Sequence, residues 1–112
     1  MAEGYIDNPY GMIDKTSDIT INTTYITQGT YLWCYVVGKL AVCSINFYTK
    51  QRLNNETIIS GLPNPVTNYV FSITATENVG GRLQIDLNGN IVVDTGIPSG
   101  VWYSGNLVYP IA

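Results

Sequence analysis

The stretch Tyr31-Leu32-Trp33-Cys34-Tyr35-Val36-Val37-Gly38-Lys39-Leu40-Ala41-Val42-Cys43-Ser44-Ile45-Asn46-Phe47-Tyr48 decides the fold class. Two runs rich in β-branched and aromatic residues flank Gly38-Lys39, and glycine reaches positive φ without a Cβ penalty, so the pair closes a two-residue β-hairpin. That turn fixes the register. On one side Cys34 faces Cys43, Val36 faces Ala41 and Leu32 faces Ile45. On the other, Trp33 faces Ser44, Tyr35 faces Val42 and Val37 faces Leu40. Both faces of the ribbon are apolar or aromatic, so both require cover. One face builds the core of a small domain; the row Tyr31, Trp33, Tyr35 with Val42 then meets either the other wall of that core or another subunit.

Working outward, the chain keeps the period-two signature of strands and shows helical periodicity nowhere. Ile19, Ile21, Thr23 and Tyr25 alternate with Thr20, Asn22 and Thr24, which predicts a half-buried strand from residue 17 onward. Further strands are expected over 56–60, 69–76, 82–87, 91–94 and 106–109, punctuated by Gly, Pro and Asn. A three-residue loop at Asn88-Gly89-Asn90 places Leu83, Ile85, Leu87, Ile91 and Val93 on one face. Residues 1–16 read as an irregular N-terminal arm or short edge, since Gly4, Pro9 and Gly11 break any period, and residues 17–112 read as one β-sandwich head domain. Strands of this number and shortness predict an all-β, single-domain, jelly-roll-like sandwich or barrel.

Composition agrees. In 112 residues, 46% are hydrophobic and only 12% charged, enough for one core and too few residues for two. The net charge of −3 with five basic residues speaks against a nucleic-acid partner, because Lys15, Lys39, Lys50, Arg52 and Arg82 form no stripe. No apolar run reaches the length of a membrane span, and the first ten residues lack the basic start and apolar stretch of an export signal, so a soluble chain without membrane insertion is expected.

The chemistry is equally constrained. With no histidine in the chain, a Ser-His-Asp or Cys-His arrangement within one chain is impossible, and Cys34 and Cys43 lack the spacing of a zinc site. They are either small core thiols or a disulfide, since opposed Cα atoms lie about 4.5–5.5 Å apart, within disulfide reach. Asp86 and Asp94 on neighbouring strands are the one carboxylate pair a glycosidase might use, but the register turns Asp86 toward the polar face, as a solvated acid. Asn22-Thr23-Thr24 and Asn55-Glu56-Thr57 fit the glycosylation pattern by chance, and Gly80-Gly81 is a turn rather than a phosphate loop. No enzyme, no cofactor and no metal are expected.

Binding is the better prospect. Trp102 and Tyr103 follow Pro98-Ser99-Gly100, so they begin a strand straight out of a loop, where a ring can offer a flat face to a sugar. Trp102 has an equally good core role, and both rings are candidates for ligand contact. Asp94, Arg82, Asn78 and Glu77 are candidates for orienting hydroxyls, or ordinary solvated residues.

The order Val37-Gly38-Lys39-Leu40, then Gly61-Leu62-Pro63, then Asn88-Gly89, then Gly100-Val101-Trp102-Tyr103, then Leu107-Val108-Tyr109-Pro110 resembles the C-terminal domains of phage tail and minor structural proteins. The resemblance extends from about Tyr31 to Tyr109. It implies a trimeric, jelly-roll-like head, similar to phage receptor-binding heads, that recognises a bacterial surface saccharide from the virion's tail tip or baseplate beside other tail proteins. The same resemblance covers purely structural tail domains that trimerise without a ligand. A small carbohydrate-active enzyme is the third, disfavoured reading.

Overall fold

A computed structural model describes residues 11–75 and 80–112. Among them are β1 (Met12–Asp14), β2 (Thr20–Ile21), β3 (Ile26–Val37), β4 (Leu40–Thr49), β5 (Thr57–Ser60), β6 (Tyr69–Ala75), β7 (Gly81–Ile85), β8 (Ile91–Val93) and β9 (Trp102–Pro110), with one 3-10 turn at Thr16–Asp18. All neighbours pair antiparallel, in the order β1-β3-β4-β9-β6-β7-β8-β5-β2. The result is all-β, a single curled sheet in the form of a half-barrel. Strand β6 makes the curl: its end, Thr74 and Ala75, pairs with β9, while residues from Tyr69 to Ile73 pair with β7.

The hairpin has the register that the sequence predicts. Cys34 opposes Cys43, Leu32 opposes Ile45, and Val37 opposes Leu40 across a turn where Gly38 has φ of 61°. Its inner face, with Cys34, Val36, Ala41, Cys43, Ile45 and Phe47, is buried. Leu83, Ile85, Ile91 and Val93 from the β7–β8 hairpin join Ile45, Phe47, Tyr103 and Tyr109 in one core cluster. Burying these side chains is the main favourable term, at roughly 1.5–3 kcal/mol for each large apolar group.

Several expectations are corrected. The predicted strand from residue 17 is broken, because Asn22 competes with the ladder. Its Oδ1 accepts from Thr24 N at 3.2 Å, and its carbonyl accepts from Tyr25 N and Ile26 N at 3.0 and 3.1 Å, an Asx-type turn that local side-chain bonding favours. Leu87 is 53% exposed rather than in the core. Ile85 opposes Ile91, so the loop spans 86–90, two residues longer than expected. Asp86 explains the lengthening, since its Oδ1 accepts from Asn88 N and Asn90 N at 2.9 and 3.0 Å. The strand start expected at Trp102 and the strand expected over 106–109 are one continuous strand, β9. Of the segment read as an irregular arm, Met12–Asp14 pairs with β3, Met12 opposite Val37; residues 1–10 lie outside the described residues.

Candidate functional site

Strand β4 is the centre of the site because both of its edges are paired along its length. Leu40 opposes Pro110, Val42 Val108, Ser44 Asn106, Asn46 Ser104 and Tyr48 Trp102. Side chains alternate across a strand, so these five pairs share the outer face of the sheet while Ala41, Cys43, Ile45 and Phe47 fill the core. Trp33 opposes Ser44 and Tyr35 opposes Val42, which puts them on the same outer face.

That face has two ends of different chemistry. The end near the Gly38-Lys39 turn is apolar. There Leu40 is 44% and Val108 48% exposed, beside half-buried Tyr35, Val37 and Val42. The rings of Trp33 and Tyr35 lie 5.6 Å apart. In the middle, Ser44 Oγ donates to Asn106 Oδ1 at 2.8 Å.

The opposite end holds a cleft of about 380 Å³ lined by Thr30, Asn46, Thr74, Ala75, Trp102 and Ser104. Trp102 is 44% exposed and is braced by Tyr48, ring centroids 5.1 Å apart with planes tilted by 53°. The floor is held by Asn46. Its Nδ2 donates to Tyr103 O at 2.9 Å and to Ser104 Oγ at 3.2 Å, and its Oδ1 accepts from Thr30 N at 2.7 Å. This amide stands in for the ladder where the β3–β4 register shifts between Gln28 and Leu32, and it tolerates only glycine at position 29. A Cβ there would fall within the Asn46 amide. The bulge thus presents Thr30 to the cleft, a common use of bulges beside sites. Among the described residues no ionisable side chain lines the cleft, and those that do offer an indole, hydroxyls and an amide.

Among the described residues proposed from sequence for ligand contact, only Trp102 lines this cleft. Tyr103 is corrected: its ring is fully buried, stacked on Phe47 at 5.7 Å, because β9 pairs Tyr103 with Phe47 on the core side. Arg82 and Asp94 form a partly exposed ion pair, Nε to Oδ2 2.6 Å, on the β7–β8 side and apart from the cleft. Glu77 and Asn78 lie outside the described residues. The structure does bring Trp33, Tyr35 and Val42 to one surface, with Tyr31 37% exposed at the bulge. Sequence reasoning missed Thr30, Asn46, Thr74 and Ser104, which come from four strands.

The remaining acids and thiols are engaged locally. Asp14 accepts from Thr16 N at 2.9 Å, and hydrogen bonding from Thr16 holds its carboxyl below the usual range. Cys34 and Cys43 are free thiols in the core. Among the described residues no three His, Cys, Asp or Glu side chains converge on a metal position. No protein-family model matches the chain, and no curated protein matches it.

Proposed function

We propose that this chain is a saccharide-binding attachment domain that assembles as a homotrimer on a phage or prophage tail. Trp102 carries the reading: a half-exposed indole braced by Tyr48, at the wall of a cleft whose described lining is hydroxyl and amide groups. A pyranose presents an apolar face of C–H groups and a rim of hydroxyls, and this cleft offers a surface for each. Neutral sugars suit it better than uronates or phosphosugars, since among the described residues the lining holds no cation to pair with them. Asp86 serves its turn and Asp94 its arginine, which favours binding over acid–base chemistry.

The apolar end of the same face supports self-association. Leu40, Val42, Val108 and Tyr35 are the kind of surface that a second subunit covers. A shallow saccharide site binds weakly, and three copies on one head with several heads on one particle convert weak contacts into avid attachment. The tail-protein context rests on the order of motifs between Tyr31 and Tyr109.

Two variants divide the reading into testable parts. Trp102→Ala should keep the sedimentation coefficient of the wild type and lose binding on an array of neutral bacterial wall glycans. Trp33→Ala should shift the protein toward monomer and lower apparent avidity on the array. A trimer that binds no wall glycan turns the assignment into a purely structural tail domain. A monomer with wild-type glycan binding removes the assembly half.

A further inference from the structure

We infer that Cys34 and Cys43 are an oxidative modification site, closing a disulfide across the β3–β4 hairpin. The two residues oppose each other directly and both side chains lie on the buried face, 0% and 1% exposed. Antiparallel pairs come in two kinds, and the kind that does not exchange backbone hydrogen bonds brings Cα atoms closest, at roughly 4.5 Å. The backbone shows which kind this is. Cys34 N donates to Thr16 Oγ1 at 3.1 Å, and Cys34 O accepts from Lys15 N at 2.8 Å. Both groups therefore point toward the 3-10 turn and away from β4. Cys34 and Cys43 occupy a non-hydrogen-bonded pair, whose spacing falls at the short end of the range a disulfide spans.

The chemistry needs a disulfide oxidant, such as oxidised glutathione. The Cys34 thiolate attacks one sulfur of the small disulfide, giving a mixed disulfide and one free small thiol. Cys43 then gives up its proton and attacks the Cys34 sulfur, releasing the second small thiol. The protein loses two hydrogens and the oxidant is reduced to two thiols. The order follows from the pair itself. A hydrogen bond from the Cys43 thiol favours the Cys34 thiolate, and the same bond with burial pushes the Cys43 thiol up. Access is the slow step, because the 3-10 turn and the three-residue strand β1 cover the Cys34 backbone and must open locally first. Once closed, the bond clamps the two strands that carry Trp33, Tyr35, Val42 and Asn46. It is independent of the saccharide reading.

The test uses the wild-type protein, incubated to equilibrium with oxidised glutathione in enough urea to permit local opening below the unfolding transition. It is then denatured, alkylated and weighed. The expected product is lighter by two hydrogens, takes up no alkylating agent, and melts roughly 10 °C higher than the reduced protein, as a short closed loop in a domain of this size implies. Two alkylatable thiols after full incubation, or a stable glutathione adduct on either cysteine, would overturn the assignment.

Discussion

Replacing Gly29 by alanine should be costly in a way that depends on Asn46. The added Cβ would fall within the Asn46 amide, so the side chain must leave the bulge. Overpacking costs about 1–3 kcal/mol. Departure of the amide also forfeits its hydrogen bonds to Thr30 N, Tyr103 O and Ser104 Oγ, each with a net worth of about 1 kcal/mol. Gly29→Ala should therefore destabilise the domain by about 4 kcal/mol, with overpacking at the low end of its range, and Asn46→Ala by about 3 kcal/mol. In the double variant the side-chain obstruction is gone and only the Asn46 carbonyl oxygen, 2.9 Å from the added Cβ, still crowds it. The cost should stay near that of Gly29→Ala alone, because both proteins have lost the same hydrogen bonds. The coupling energy is then about −3 kcal/mol, against agreement within roughly 0.5 kcal/mol for independent sites. Urea unfolding of the four proteins, followed by circular dichroism with a common m-value, measures it. Additive costs would show that Asn46 does not fill the bulge, and the account of the cleft floor would fall with that result.

Two further outcomes follow from the core. Tyr103→Ala should cost about 3–5 kcal/mol, the range for deleting a large buried ring, whereas Trp102→Ala one residue away should cost about 1 kcal/mol; urea midpoints with similar losses would refute the assigned facing of β9. Alkaline pH should destabilise the fold through Tyr109, whose phenol is pushed up by burial and donates to Pro63 O at 2.8 Å. A raised acid holds its stabilising proton fully below its ordinary value of 10.0, and that stability is lost as pH climbs toward the folded value, by about 1.4 kcal/mol per pH unit. Cys43, also raised, adds to the loss above its ordinary value of 9.0, and the lowered Cys34 offsets part of it. Urea midpoints between about pH 8 and about pH 11 should fall less steeply in Tyr109→Phe; equal slopes would remove the phenol from the account.

The hairpin was legible because a two-residue turn fixes parity, and parity alone assigns every side chain from Leu32 to Ile45 to a face. Strand β9 was not legible as one unbroken strand. Ser104 and Gly105 lie outside the expected 106–109, and they form a strand because β4 offers a complete ladder from Leu40 to Tyr48, a partner distant in sequence. The same distant pairing separates the roles of Trp102 and Tyr103, since only the register with Tyr48 and Phe47 decides which ring faces out. Asn22 and Asp86 misled for the opposite reason. Their short side chains satisfy nearby backbone groups and so override the period-two pattern around them. The polar residues of the cleft carry no local signal, because each is an ordinary Thr, Ser or Asn until four strands converge.

The division of the outer face is inscribed twice in the sequence. Read along β4, its outward positions run Leu40, Val42, Ser44, Asn46, Tyr48; read backward along β9, they run Pro110, Val108, Asn106, Ser104, Trp102. Two segments far apart in the chain pass through the same succession of apolar, polar and aromatic residues, and antiparallel pairing lays like against like. Cross-strand pairing energy rewards such matching modestly at each step, but it does not require the whole gradient, since an outer face of uniform polarity would pair as well. A gradient is what separates two tasks on one surface. Val108 and Trp102 are six steps apart along extended chain, about 20 Å, so a subunit seated over Leu40 and Val108, as proposed above, would leave the indole and its cleft uncovered. On the proposed reading, assembly and ligand capture would then use opposite ends of the same sheet without competing.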